Sequence, residues 1–373
     1  RLMAELESSG SLNRAVEYLP ASVDALQAAG QGLVSPELAV LMAYAKIDLK
    51  RVDSDADIFD EPWCDEVLRG YFPSALRERC GDQMQSHPLR RQIVATVLAN
   101  ELVNRGGITF AYRCAEETGA DNAQVLRAFH VTKQVFGFDG IWQQIEQLDG
   151  SVPAECQVAL YLDTRRLLDR ATRWFMQARG GRLDVLGEVG RFASHVAHVG
   201  PRIPSLLKGA ERERYQAHAA ALQAQGAPEQ LAARIAGLLD EFSLLDIVDI
   251  SVAHNADVDN VAELYFALSE RFEVDRLLHH ITALPRNDRW SSNARSALRS
   301  DLYAALAGLT AAVLRSTPAV DIESRITQWE GHLAEGFGRT RGTLAEIATS
   351  QVTDLATLSV ALRAIRTLVG QAG

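Results

Sequence analysis

Helix starts, helix stops and a 3.6-residue apolar period recur along the whole chain, while segments alternating apolar and polar residues are nearly absent. A chain patterned this way has one way to bury its apolar stripes, which is to pack helix against helix. Ser35 can cap exposed backbone N–H groups, Pro36 suits the first helical position, and Glu37 meets the positive end of the helix dipole. Leu38, Leu41, Met42, Ala45 and Leu49 then follow at helical spacing. Asp121 with Gln124 predicts a capping box for a helix that ends near Gly137. The longest helix is expected from about Pro153 to Arg179, with Leu160, Leu167, Leu168, Ala171, Trp174 and Phe175 on its apolar side. Asp163, Arg166, Arg170 and Arg173 are expected on a solvated face. Gly180-Gly181 offers the best internal boundary, with further breaks at Gly200-Pro201, Pro204 and Gly226-Ala227-Pro228. Helical stretches at Asp257–Phe272, Trp290–Leu314 and Asp354–Val369 complete the chain, with no fixed-period repeat. The predicted fold is all-α, a multi-helix array or bundle in two packed subdomains, residues 1–180 and 181–373.

Composition excludes several functions. Hydrophobic residues make up 47% and charged residues 23%, the balance of a folded globular chain. With 38 Lys and Arg against 48 Asp and Glu, the net charge of -10 repels phosphate backbones, and no basic stripe offsets it, so no nucleic-acid partner is expected. The longest uninterrupted apolar run, Leu38 to Ala45, is short of the ~18–20 residues that cross a bilayer, so no membrane span is expected. Cys64, Cys80, Cys114 and Cys156 are scattered without C-x-x-C pairing or zinc-finger spacing, which points to reduced thiols in a cytoplasmic protein. The opening Arg1-Leu2-Met3-Ala4-Glu5 has neither an initiator methionine at position one nor a signal-peptide layout, as expected of a piece of a longer protein.

Candidate chemistry is sparse. Gly336-Phe337-Gly338-Arg339-Thr340-Arg341-Gly342 approximates a dinucleotide fingerprint, but its last glycine is one place late and Trp329 to Ala334 before it reads as helix. An inter-helix turn is the better reading. His195 and His198 could share one helix face, yet two ligands do not make a zinc site, and the adjacent His279 and His280 point in different directions. Ser205-Leu206-Leu207-Lys208 matches S-x-x-K without the other elements of serine acyl-enzymes. More informative is His87-Pro88-Leu89-Arg90-Arg91, where two arginines open a helix against its dipole. Arg90 and Arg91 therefore require compensation, from internal carboxylates or from an anion or subunit interface.

Several segments resemble one family in order along the chain. Gly30-Gln31-Gly32-Leu33, Ser35 to Ile47, Tyr71-Phe72-Pro73 and His87 to Arg91 are similar to the region that follows the catalytic core in large bacterial NAD-specific glutamate dehydrogenases. Ala95 to Asn100, Val103-Asn104-Arg105-Gly106-Gly107, Glu116-Glu117-Thr118-Gly119-Ala120 and Arg173-Trp174 continue the resemblance. Ala262 to Leu268, Asp288-Arg289-Trp290 and Asp301-Leu302-Tyr303 extend it more loosely. The resemblance implies a parent enzyme that oxidatively deaminates L-glutamate to 2-oxoglutarate and ammonium while reducing NAD. The substrate segment with its catalytic lysine and the NAD-binding domain lie upstream in that family, so no catalytic, cofactor-binding or metal residue carries over and this chain is expected to bind no cofactor. The implied role is a non-catalytic helical scaffold that packs against the catalytic domains of its own polypeptide and supports a homo-oligomer. The alternatives are a free-standing helical protein-binding module and a region that lines the active-site cleft of the intact enzyme.

Overall fold

The structure is a computed structural model, which describes residues 30–51, 57–178, 181–285, 289–317, 321–349 and 354–371, with Met3, Leu6, Glu7 and Leu12. Among the described residues every regular element is helical and no strand occurs. The chain divides into two compact units, Arg1–Asp139 with Arg165–Gly190, and Gly140–Thr164 with Arg191–Gly373. Gly180 and Asp288, used in the sequence reading, lie outside the described residues.

The first unit holds α1 (Ser35–Lys50), α2 (Cys64–Tyr71), α3 (Ser74–Met84), α4 (Arg90–Glu101), α5 (Phe110–Thr118) and α6 (Asn122–Val135). The second part of the 25-residue helix α8 (Ala154–Ala178) belongs to it as well. Helix α1 begins one residue earlier than the Ser35 cap implies. Val34 is the cap residue, and its N–H donates to the Glu37 carboxylate at 2.7 Å. The α6 start is as the sequence predicts, because Asp121 accepts from Gln124 N–H at 2.7 Å and Gln124 accepts in return from Asp121 N–H at 3.2 Å. Helix α4 packs between α1 and α2, burying Val94, Ala95, Leu98 and Ala99. A wider helical turn, Leu102–Gly106, then closes it, and Gly107 turns the chain with a φ of +97°. Both glycines are needed. A Cβ on Gly106 would stand 2.7 Å from Phe110 Cγ, and one on Gly107 would stand 2.8 Å from an Arg165 guanidinium nitrogen.

In the second unit α14 (Val258–Arg271) is the central helix, with Val261, Leu264, Tyr265 and Leu268 all buried. Asp257 caps it by accepting from Asn260 N–H at 3.0 Å. Around it pack α13 (Leu244–His254), α15 (Val274–Ala283), α16 (Arg289–Ser316) and α17 (Ile322–His332). Helix α16, at 28 residues, is longer than α8, which the sequence reading made the longest. Its Trp290–Ser316 stretch is the one described segment long and apolar enough, by length and composition, to cross a membrane. Arg299 and Asp301, then Gly308 and Thr310, interrupt its apolar run, which is why counting uninterrupted residues misses it. Leu302, Leu306, Leu309 and Val313 are buried, and the helix packs on α13, α14 and α19 (Leu355–Gln371), as a core helix of a helical unit does.

Two expectations are corrected. The glycine run Gly336 to Gly342 lies inside helix α18 (Ala334–Thr349) and is no inter-helix turn. A Cβ on Gly336 would stand 2.4 Å from the Gln371 amide oxygen and 3.3 Å from Leu368, so this glycine permits close packing of α18 on α19. Asp163, assigned to a solvated face of α8, is buried with His218 Nε2 at 2.8 Å, because α11 (Gly209–Ala224) brings that imidazole to it.

The crowding at the α4–α5 corner supports a prediction. Gly106→Ala must push the Phe110 ring out of place, costing about 1–3 kcal/mol. Urea denaturation should show it as a lower midpoint with an unchanged slope.

Candidate functional site

The densest charged constellation of the first unit surrounds a short 3₁₀ turn, Asp57–Asp60, and the three residues after it. The turn and the start of α2 present Asp60, Glu61 and Asp65, while α4 presents Arg90 and Arg91 and α6 presents Arg127. Arg90 donates to the Phe59 carbonyl at 2.8 Å, to Asp60 at 2.9 Å and to Asp65 at 2.8 Å, and its side chain is only 16% exposed. Arg91 reaches the other Asp60 oxygen at 2.9 Å from a side chain that is 49% exposed. The positive charges that oppose the α4 dipole are thus matched by carboxylates of the same unit.

The arginine that sequence inspection did not single out is the most deeply placed. Arg127, 5% exposed, donates twice to Glu61 Oε1, at 2.9 and 2.6 Å, and Arg182 reaches the same oxygen at 2.7 Å. Trp63 Nε1–H donates to the second oxygen at 2.6 Å. Burial pushes the Glu61 carboxyl up, but the hydrogen bonds from Arg127 and Trp63, with the Arg127 charge and the Arg182 bond, outweigh it and hold the group below its ordinary value. His130 stacks on Trp63 at a centroid distance of 4.4 Å. Burial, aided by Lys133, lowers its pKa to about 3, so the ring stays neutral.

A second cluster joins two of the resembling segments across 56 residues. Arg173 of α8 donates to Glu117 of α5 at 2.5 Å and to Asp169 at 2.6 Å, and Arg113 reaches Asp169 at 3.3 Å. Arg173, expected on a solvated face, is 12% exposed because α5 lies over it. Burial works against its charge, but the Cys114, Asp169 and Glu117 fields prevail and raise its pKa.

The remaining candidates do not converge. His195 Nδ1 lies 3.1 Å from the Arg191 carbonyl and His198 Nε2 lies 3.0 Å from Asp259, so the two rings are engaged separately. Among the described residues no group of three His, Cys, Asp or Glu side chains could hold a metal ion. Ser205 donates its hydroxyl to the Arg202 carbonyl at 2.6 Å. The glycine run does not fit a dinucleotide. It sits inside a helix with no strand before it, and the space against Gly336 belongs to Leu368 and Gln371.

In these clusters the arginines and carboxylates pair with one another, and the described residues define an all-helical region. The chain belongs to the glutamate dehydrogenase C-terminal family, whose model matches residues 30–367. It is 41% identical over 371 residues to a NAD-specific glutamate dehydrogenase of Mycobacterium tuberculosis and 38% identical over 372 residues to one of Pseudomonas aeruginosa. A third, from Halomonas elongata, is 34% identical over 367 residues. These alignments cover 99%, 99% and 97% of this chain, which spans only 23% of the length of each relative.

The geometry ranks the arginines. Arg127→Ala removes two of the four hydrogen bonds to the largely buried Glu61, leaving it Arg182 and Trp63, and should cost about 1.5–3 kcal/mol, whereas the half-exposed Arg91 should cost only about 0–1 kcal/mol when replaced by Ala. Arg90→Ala should fall between them, and chemical denaturation of the three variants reads the order.

The four cysteines are free, and Cys64, Cys114 and Cys156 are buried. Burial pushes the Cys64 and Cys114 thiols up to about 12, with neighbouring carboxylates adding to it and nearby arginines opposing it. A thiol-reactive dye should label Cys80 first in the native chain and all four after unfolding. Fast native labelling of Cys64 or Cys114 would contradict their burial.

Proposed function

We propose that this chain is the C-terminal, non-catalytic region of a NAD-dependent glutamate dehydrogenase. The parent oxidises L-glutamate to 2-oxoglutarate and ammonium with NAD as hydride acceptor, and this region serves as a scaffold against the catalytic domains of its own polypeptide within a homo-oligomer. The observation that carries the reading is coverage, since nearly the whole chain aligns with less than a quarter of each relative. The chemistry and its NAD site then belong to the remainder of the polypeptide. Four free thiols suit a reducing cytoplasm.

Helix α1 supports the scaffold role. It is apolar on two faces: Leu41, Ala45 and Leu49 are buried, with Leu38 exposed at the start of that same stripe, while Ile47 lies exposed on the opposite side near Val40 and Ala43. A helix apolar all round is one that expects cover on both sides. Exposed Tyr71 and Leu89 flank Phe72 and His87, whose rings stack at 5.9 Å, and so form a second apolar area beside the half-exposed Arg91. Both faces are offered to the catalytic part of the parent.

Leu38→Asp combined with Ile47→Asp should lower the melting of this chain only modestly, because both side chains are already partly in water. In the full-length polypeptide the same pair should lower glutamate-dependent NADH production about tenfold or more, as loss of about 1.4 kcal/mol of interface energy does, and should shift the assembly to smaller species in light scattering. Unchanged activity and unchanged size would sink the scaffold reading. The purified chain alone should produce no NADH from glutamate and NAD, and production would overturn it outright.

A further inference from the structure

The second unit contains a cavity of about 710 Å³ between the start of α11 and the α14–α15 corner, within the size range of small-molecule sites. Its exposed surface is mostly side-chain carbon, although nine of its ten lining residues are polar or charged, among them Glu211, the third residue of α11. Glu211 is only 7% exposed. The Ser269 hydroxyl donates to its Oε1 at 2.6 Å, while its Oε2 is buried without a hydrogen-bond partner. A buried carboxylate oxygen left without a donor costs on the order of 1–3 kcal/mol or more, so a group that supplies the donor is stabilised there.

The fixed cations nearby do not supply it. Arg214 is shared between Asp240 and Asp275, at 2.8 Å each, and Arg276 reaches Glu273 at 3.1 Å. With Glu270 and Lys208 counted, the lining carries four carboxyl groups against three fixed cations, an excess of one negative charge when Glu211 is ionised. Glu273 adopts a left-handed conformation with a φ of +50° in the short turn between α14 and α15, a common way for a helix to stop. Gly209, with a φ of +46°, leaves room for Glu270, whose carboxylate oxygen would stand 3.1 Å from a Cβ there.

We propose that this cavity binds a small organic cation, a primary ammonium on a short aliphatic chain, with the ammonium donating to Glu211 Oε2 and the aliphatic part lying on the side-chain carbon of the wall. A bare metal ion is the poorer occupant, because no three ligating side chains converge among the described residues and the volume far exceeds one ion. Burial, opposed by the Ser269 bond and reinforced by Asp240 and Asp275, raises the Glu211 pKa to about 7. The carboxyl therefore binds the cation best above neutrality. The site is independent of the scaffold role, since it belongs to the second unit alone.

The test uses n-butylammonium chloride with this chain at about pH 8, where a carboxyl with a midpoint of about 7 is mostly ionised. Calorimetry should show saturable one-site binding that an equal concentration of sodium chloride does not reproduce. Glu211→Gln, which keeps an oxygen for Ser269, should weaken binding tenfold or more, and Lys208→Ala should strengthen it by removing a competing positive charge. A second reading needs no variant: saturating butylammonium should lower the Glu211 carboxyl midpoint, followed by carbon-13 resonance, by about one unit, equivalent to a tenfold preference for the ionised form. Absence of saturable binding, binding that Glu211→Gln leaves intact, or a Glu211 midpoint indifferent to the probe would each overturn the proposal.

Discussion

Glu61 accepts hydrogen bonds from Arg127, Arg182 and Trp63 together, and the first unit is organised around the need to keep those partners in place. An ion buried among helices is costly unless its lone pairs and protons are met, and a partly met cluster is worse than an apolar core. The residues concerned come from the turn before α2, from α6 and from beyond α8. Their mutual satisfaction therefore selects one arrangement of elements that generic apolar packing alone would leave loosely specified. Arg173 with Glu117 and Asp169 repeats the device between α5 and α8.

This accounts for much of the family resemblance in physical terms. Arg90, Arg91, Gly106, Gly107, Glu117 and Arg173 all lie in the segments that resemble the large glutamate dehydrogenases. In the structure they are ion-pair partners or close-approach glycines. Such residues specify how helices meet, which supports the scaffold role proposed for the region.

The second unit uses a different balance. Its core is the stripe of α14 against α16, with α19 over it, and its charges range from partly exposed pairs such as Arg271 with Glu330 to the buried Glu241 with Arg234 and Asp163 with His218. Glu211 departs from that balance. One of its oxygens is buried without a donor beside a cavity, and such departures from local rules are where function is expected to collect.

What the sequence by itself determined is the class of fold and the ends of several helices. Asp121 caps as the sequence reading expects, and the stretches expected to open at Asp257 and Asp354 do begin there, with each aspartate capping through the residue three places on, because capping involves only the next three residues. The same locality let Arg90 and Arg91 be read as needing compensation. It could not say that Asp60 and Asp65 provide it, nor that Glu61 answers an arginine 66 residues away. Periodicity shows which residues share a face, but whether water or another helix covers that face depends on contacts distant in sequence. For this reason Asp163 and Arg173 appear solvated in sequence and are buried in the fold, and the glycine run of α18 is a packing seam. Tertiary structure alone decided which charges are paired, which glycines are crowded, and that Glu211 is enclosed with one oxygen unanswered.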